Sequence, residues 1–377
     1  MQQQNSSKTF AAGLAVFSMF FGSGNLVFPL LLGKSVQSET FSAISGLLLT
    51  GIAMPFLGIL AMIIFRGEYK NFFGWLGKWP YLFICTCIVG LIGPFGVLPR
   101  CLTIAHAGVT MYFPDMPLLP FSILSCAFIF IASMKKGRLV DILGYYLTPC
   151  LIFALTVIVV KGLFSMPQSS VSELSSMNSF KLGFFQGYNT MDLLAAFFFS
   201  KTVLLYFESP EGIDLNRALK AGGIGMGLLA ITYVAFAFLG ASYGNILHGI
   251  APEQLLMHIA LEVLGPFGGL MASVAISLAC LTTAIALAEV SANFLVHDLC
   301  NGKLSELLAM AIVLLISIVV STYEFSGIAK ILGPILEFSY PFLIAVTFIN
   351  LVCSFCSFDF LKSGRLKSLI QRYMPTP

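Results

Sequence analysis

Small and polar residues interrupt a long apolar stretch near the start of this chain, and their types suit the binding of ions. The interruption reads Gly22-Ser23-Gly24-Asn25, inside an apolar run over 9–33. Gly in a helix interior costs about 1 kcal/mol relative to Ala, and an apolar surrounding leaves the Asn amide without partners. We therefore expect the helix to unwind here, although a close-packed Gly-x-Gly contact between helices is the alternative. An unwound segment exposes N–H groups that bind an anion and C=O groups that bind a hard cation.

A second interruption, Gly187-Tyr188-Asn189-Thr190, lies between apolar runs further along the chain and is followed by Asp192. Four polar side chains close together again favour a break in the helix. The Asp192 carboxylate has two possible roles: it caps the half-helix that follows by accepting backbone N–H bonds, or it takes part in ion coupling.

Two adjacent threonines, Thr282 and Thr283, form a third polar group in an apolar run. Threonine hydroxyls in such a run often bond to carbonyls of their own helix. The alternative is a cation site, because both hydroxyls and the Ala279 carbonyl converge on one helix face. Glu289 follows seven residues after Thr282 on the same face, where it lines a polar pathway or pairs with a basic residue.

The composition shows which elements must position these groups. Only 10% of the 377 residues are charged, against about 25% in soluble proteins, and the mean hydropathy is +0.94. These values exclude a soluble enzyme, a secreted disulfide domain and a disordered chain, and a net charge of +3 excludes a nucleic-acid binder. The chain is predicted to be an all-α polytopic membrane protein, because its long continuous apolar runs differ from the short alternating strands of a barrel.

Ten apolar runs are long enough to approach or reach the roughly 20 residues of a membrane span. They are 9–33, 41–65, 80–110, 117–134, 140–165, 183–207, 218–247, 265–296, 304–322 and 328–355. We number them spans 1 to 10 and expect a kink at Pro99 in span 3. No other stretch could form a separate domain, so 1–377 is predicted to be one membrane domain without a signal peptide, ending in a tail over 357–377.

Basic residues predict the orientation of the spans. Fourteen of the twenty Lys and Arg fall on the side of the termini, four fall on the other side, and Arg100 and Lys201 lie within spans. The fourteen are Lys8, Arg66, Lys70, Lys78, Lys135, Lys136, Arg138, Arg217, Lys220, Lys303, Lys362, Arg365, Lys367 and Arg372. Both termini are therefore predicted to be cytoplasmic.

The two broken spans occupy corresponding positions, since spans 1 and 6 each begin a group of five. An odd number of spans inverts the second group relative to the first, giving repeats over about 9–165 and 183–355. Broken helices at matching positions of two inverted repeats indicate the binding site of a transporter.

Several segments, in order along nearly the whole chain, resemble the bacterial branched-chain amino acid:cation symporters, the system II leucine, isoleucine and valine carriers. They are Phe20–Pro29, Ile92–Thr103, Val140–Pro149, Gly187–Phe197, Cys280–Ala284 and Ser339–Phe342. The resemblance implies a LeuT-like fold of five plus five spans in an inverted repeat. It also implies a multi-pass protein of the bacterial cytoplasmic (inner) membrane that imports branched-chain amino acids with sodium.

The resemblance also implies roles for individual residues. The substrate would be bound by residues of the two breaks, with the Ser23 and Gly24 amides on its carboxylate and Asn25 near a second ion. This set is Gly22, Ser23, Gly24, Asn25, Tyr188, Asn189 and Thr190. Sodium would be bound by carbonyls and hydroxyls of spans 1 and 8. This set is Ser18, Phe21, Ala279, Thr282 and Thr283.

Other functions are less consistent with the sequence. It has no His-Glu-x-x-His, Gly-x-Ser-x-Gly or Walker motif of an enzyme, and no repeated filter loop of a channel. A proton-coupled carrier of another neutral amino acid is the alternative. The expected partners are a small-molecule substrate, the coupling ion (Na⁺, with H⁺ as the alternative) and membrane lipid, with no nucleic acid and no obligate protein partner.

Overall fold

The computed structural model describes residues 2–134, 148–167, 172, 174–209 and 212–362. Within these ranges the chain is helical almost throughout, and its only strands are the two-residue pair Glu208–Ser209 and Gly212–Ile213. Five helical stretches are long and apolar enough to cross a membrane, and four shorter apolar helices accompany them. The helical architecture predicted from the sequence is therefore confirmed.

The first five spans are built from helices that are broken or bent at several points. Their helices are Gln2–Phe20 and Ser23–Val36 (span 1, halves 1a and 1b), Thr40–Leu48, Leu49–Ala53 and Met54–Ile64 (span 2), Lys78–Ile92 and Val97–Thr110 (span 3), Leu118–Ser133 (span 4) and Thr148–Phe164 (span 5). Short helical turns cover Gln37–Glu39, Tyr69–Phe73 and Gly74–Leu76. The predicted start of span 5, with Lys135, Lys136, Arg138 and most of Val140–Pro149, lies outside the described residues.

The second five spans follow the same plan. Their helices are Ser176–Asn189 and Asp192–Tyr206 (span 6, halves 6a and 6b), Leu215–Ser242 (span 7), Leu255–Phe294 with Leu295–Leu299 (span 8), Glu306–Ser321 (span 9) and Glu324–Lys362 (span 10), with a turn at Pro252–Gln254. Span 8 kinks at Gly265, where φ is +68°, so the predicted start of this span coincides with the kink. Span 10 continues into the predicted tail as far as Lys362, and 363–377 lie outside the described residues.

Spans 1 and 6 are broken at the edges of the predicted segments, at 21–22 and 190–191, and span 3 is broken at an unexpected place. Gly22 is extended between halves 1a and 1b, with φ −122° and ψ −151°. Met191 precedes half 6b in the left-handed region, with φ +64°. Span 3 breaks over 93–96 rather than at Pro99, which lies in the first turn of the following helix. A proline there removes no helical hydrogen bond, because the first-turn N–H groups have no acceptor within the helix.

Half 1b packs on span 7 with the two backbones in contact. A Cβ added at Gly33 would lie 1.9 Å from the Ala237 carbonyl oxygen, and one added at Gly240 would lie 2.1 Å from the Leu30 carbonyl oxygen. Small residues permit this approach between membrane helices. These two glycines therefore determine the position of half 1b.

Half 6a packs on span 2 in the same way. A Cβ at Gly46 would lie 2.2 Å from the Phe180 carbonyl oxygen, and one at Gly183 would lie 1.9 Å from the Ala43 carbonyl oxygen. The Thr50 hydroxyl also donates to a carbonyl of half 6a, at 2.7 Å. One half of each broken span is thus held against a neighbouring span.

Candidate functional site

The breaks of spans 1 and 6 lie against each other inside the bundle. A Cβ added at Gly24 would be 2.9 Å from Thr190 Cα and 3.0 Å from a terminal nitrogen of Arg100. A Cβ at Gly22 would be 2.7 Å from Thr283 Cγ2 in span 8. Glycine at both positions allows these close approaches, so the predicted substrate-binding segments meet at one place.

The five residues predicted to bind sodium also lie together. Thr283 Oγ1 donates to the carbonyl oxygens of Ser18 and Phe21, each at 3.3 Å. Thr282 Oγ1 donates to the Ala279 carbonyl at 2.9 Å and lies 3.5 Å from Ser18 Oγ. Thr282 thus bonds within its own helix, whereas Thr283 bonds across to span 1, and the cation site stays a prediction. The arrangement brings together the oxygen atoms that a hard cation requires.

The start of half 1b offers backbone donors beside these oxygens. The Ser23 and Gly24 amides are the first of the helix, so neither has an acceptor within it. The Gly22 N–H donates to Asn25 Oδ1 at 3.1 Å, which stabilises the extended break. The Ser23 hydroxyl is buried and has no hydrogen-bond partner among the described residues. This end of the helix is suited to an anionic group.

Asp192, Asn25 and Tyr233 form a buried hydrogen-bonded network between spans 1, 6 and 7. Asn25 Nδ2 donates to both carboxylate oxygens of Asp192, at 3.0 and 2.9 Å, and also contacts the Tyr233 hydroxyl. The Tyr233 hydroxyl donates to Asp192 Oδ2 at 2.5 Å. Asp192 is the first residue of half 6b, and these bonds come from side chains. Tyr233 was not predicted from the sequence, because a single tyrosine in an apolar span has no distinctive pattern.

The side chains of Tyr188, Asn189 and Thr190, which are predicted to bind substrate, each make different contacts. The Tyr188 ring packs on Tyr340 of span 10 with 4.4 Å between ring centroids, and Thr190 Oγ1 donates to the carbonyl of Gly187 at 2.8 Å. The Asn189 side chain donates within half 6a, to Phe185 O and Gln186 Oε1. Only the backbone carbonyl of Asn189 bonds towards span 3, where it accepts from Arg100 at 2.9 Å.

Glu289 lies away from this centre. It lines a cavity of about 430 Å³ between spans 4, 8 and 9, together with Glu306 and Ser133. Both predicted roles of Glu289, lining a polar pathway or pairing with a basic residue, stay predictions.

A further polar cluster, which the sequence does not predict, ties the turn helix Tyr69–Phe73 to the end of span 8. The Tyr69 hydroxyl donates to Asp298, and Lys70 Nζ lies 3.5 Å from the same carboxylate. Burial and the neighbouring carboxylate raise the pKa of Tyr69 far above its ordinary value, so its hydroxyl stays protonated and continues to donate at neutral pH. Asn350 of span 10 donates to the Phe72 carbonyl at 3.0 Å, so three elements meet here.

Comparison with solved structures supports the fold. The chain is similar to MhsT in complex with L-phenylalanine, with a TM-score of 0.56 and 16% identity over 84% of this chain and 80% of that one. It is also similar to the Eremococcus coleocola manganese transporter, with a TM-score of 0.62 and 12% identity over 91% of this chain and 79% of that one. These likenesses confirm the LeuT-like fold with two inverted groups of five spans.

Sequence comparison identifies the family. The branched-chain amino acid permease BraB of Bacillus subtilis is 29% identical over 360 residues, covering 91% of this chain and 80% of that protein. The permease BrnQ of Escherichia coli K12 is 28% identical over 360 residues, covering 92% and 81%. These relatives are named as permeases, not enzymes. The model of the family described as branched-chain amino acid transport protein matches residues 5–363, so the chain belongs to this family of membrane transporters.

Proposed function

We propose that this protein imports leucine, isoleucine or valine together with sodium, by alternating access to a central site. The substrate class follows the names of the relatives. The observation that carries sodium coupling is the group of oxygen atoms shared by spans 1 and 8. Thr283 Oγ1 of span 8 lies 3.3 Å from the Ser18 carbonyl oxygen and 3.3 Å from the Phe21 carbonyl oxygen of span 1. A bound Na⁺ would hold these spans together.

The substrate would lie beside the two breaks. Its carboxylate would accept from the first amides of half 1b, and its apolar side chain would lie among aromatic rings. Phe20 packs edge-on against Phe199 at 5.3 Å between centroids, and Phe21 lies 6.2 Å from Phe236. These rings offer an aliphatic side chain an apolar surrounding, and burial there contributes roughly 0.8 kcal/mol per CH₂.

The proposal includes an orientation. Both termini would face the cytoplasm of a bacterium and the spans would cross its inner membrane, because fourteen of the twenty basic residues fall on the side of the termini. With this orientation, the Tyr69–Asp298 cluster lies at the cytoplasmic ends of spans 8 and 10.

A proton-coupled carrier is the second candidate, and one observation favours it. Asp192 is 2% exposed and lies at the junction of both breaks. A buried ionisable residue at membrane depth often belongs to a proton pathway. Its contacts with Asn25 and Tyr233 would then change as a proton binds and leaves.

The test is uptake and counterflow of labelled leucine in proteoliposomes, with Na⁺ and H⁺ gradients imposed separately. We expect the Na⁺ gradient to drive uptake, and the double variant Thr282→Ala, Thr283→Ala to lose this stimulation. Thr156→Ala is the matched control, because the Thr156 hydroxyl is exposed and bonds only within its helix, at 2.7 Å to the Ile152 carbonyl.

Each of the other possible outcomes would refute a different part of the proposal. Sodium stimulation that survives in the double variant would show that spans 1 and 8 do not hold the ion. Uptake driven by the H⁺ gradient alone would favour the second candidate. Absence of counterflow with any branched-chain amino acid would refute the proposed substrate.

A further inference from the structure

Arg100 is a charged side chain with no exposed surface, and it lies at the junction of the two breaks. It is among the largest fully buried side chains, with a relative exposure of 0%. One terminal nitrogen donates to the Asn189 carbonyl at 2.9 Å, and the other lies 3.6 Å from the Met191 sulfur. Its Nε has no hydrogen-bond partner in the described part of the chain.

The guanidinium lacks a contacting counter-charge. No carboxylate of a described residue lies within 4 Å of it, and Asp192 acts on it electrostatically only from a greater distance. Its other neighbours are the faces of Phe28 and Phe325, at 4.9 and 5.3 Å from the ring centroids. A buried cation is costly unless an anion and further hydrogen bonds compensate it. Its direct contacts are one carbonyl, one weak thioether acceptor and two aromatic rings, so none of them is an anion.

The position of Arg100 indicates which anion could complete its surroundings. A terminal nitrogen would be 3.0 Å from a Cβ at Gly24, so the guanidinium lies directly beside the start of half 1b. The first amides of that helix face the same junction without acceptors in the helix. The Ser23 hydroxyl there is buried beside the Cys101 thiol and has no oxygen or nitrogen partner among the described residues. Donors from spans 1 and 3 therefore surround one place. The nearby Asp192 carboxylate does not contact the guanidinium and accepts from Asn25 and Tyr233 instead.

We propose that Arg100 binds the carboxylate of the amino-acid substrate, together with the amides of Ser23 and Gly24. This assignment rests on the proposed function, and it adds a charged recognition group from span 3 to a site otherwise built from backbone and neutral side chains. The fork of N–H donors on arginine matches a carboxylate in a way that a lysine cannot reproduce. The site would accordingly require a ligand with a free α-carboxylate.

The proposal is tested with two ligands that differ only at the carboxylate, leucine and leucinamide. Their affinities for the purified full-length protein are obtained from the concentration dependence of thermal stabilisation, which measures weak binding at millimolar ligand. The variants are Arg100→Gln and Arg100→Lys, with Arg217→Gln as a charge-removing control. Arg217 pairs at 2.9 Å with Asp214 at the start of span 7 and is 36% exposed.

We expect wild type and Arg217→Gln to prefer leucine over leucinamide by the same ratio. Arg100→Gln should reduce this ratio about 10-fold or more, because a charge-assisted bond to the carboxylate is lost. Arg100→Lys should reduce it to a smaller extent. If Arg100→Gln does not fold, the lysine variant alone decides the question.

Two results would overturn the assignment. One is an unchanged ratio in the Arg100 variants, and the other is an equal loss of affinity for both ligands, as expected if Arg100 only braces the Asn189 carbonyl. A wild type that binds leucine while its Arg100 variants keep the ratio refutes this assignment alone. A wild type that binds no branched-chain amino acid refutes the proposed function as well.

Discussion

Gly240 lies where span 7 meets half 1b, and its replacement by alanine tests whether this backbone contact positions the site. A Cβ at Gly240 would lie 2.1 Å from the Leu30 carbonyl oxygen and 2.9 Å from the Leu30 carbonyl carbon. Backbone atoms cannot rotate away as a flexible side chain can. The two helices would therefore have to separate.

The structure gives the size of this separation. A carbon atom approaches a carbonyl oxygen to about 3.3 Å, so the backbones would move apart by roughly 1 Å. Overpacking of this kind costs about 1–3 kcal/mol, and alanine returns about 0.5–1 kcal/mol through its better helix propensity. Because the clash involves backbone, we take the upper value of about 3 kcal/mol for overpacking and subtract about 1 kcal/mol for helix propensity. We therefore expect Gly240→Ala to lower the free energy of unfolding by about 2 kcal/mol, or roughly 30-fold in the unfolding equilibrium.

Gly227 in the same helix provides the matched control, since nothing lies within 4 Å of a Cβ built there. Gly227→Ala should be neutral or stabilising by up to about 1 kcal/mol. The free energies of unfolding are compared by titrating SDS into dodecyl maltoside micelles that contain each variant. Equal free energies for the two variants would refute the contact between half 1b and span 7, as would a Gly240→Ala protein more stable than wild type.

Two other predictions concern the polar clusters. Tyr233→Phe removes the 2.5 Å bond to Asp192, so we expect the free energy of unfolding to fall by about 1.5–3 kcal/mol and leucine uptake to decrease; an unchanged stability would contradict the network. Asp298→Asn removes the partner of Lys70 and weakens the acceptor of Tyr69, so we expect faster amide hydrogen exchange over Tyr69–Phe73 by mass spectrometry. Exchange that matches wild type there would mean that Asp298 does not hold this turn helix.

The breaks of spans 1 and 6 could be predicted because their cause is local. Gly22, Gly24 and Asn25 weaken a helix wherever it packs, and so does the polar group ending at Thr190. The threonine pair was predictable in part, since two hydroxyls on one face are visible in the sequence. That only Thr283 reaches across to span 1 depends on how the two spans are placed.

The partners within the site could not be predicted, because they depend on tertiary packing. Tyr233 contacts Asp192 from span 7, and Arg100 contacts the Asn189 carbonyl from span 3. Neither distance along the chain nor residue type identifies these pairs. The break over 93–96 was misplaced at Pro99 because a proline usually signals a kink, yet the first turn of a helix accepts it without loss.

The glycine contacts of halves 1b and 6a have a mechanical consequence. Shear between packed helices requires side chains that slide past one another by changing rotamer. Gly33 and Gly183 instead bring backbone against a neighbouring carbonyl, with 1.9 Å to a Cβ built at either position, and such surfaces cannot slide. Half 1b with span 7, and half 6a with span 2, should each move as a rigid body. Within spans 1 and 6, hinge rotation is then confined to the breaks at Gly22 and Met191, so these hinges coincide with the segments proposed to bind the substrate.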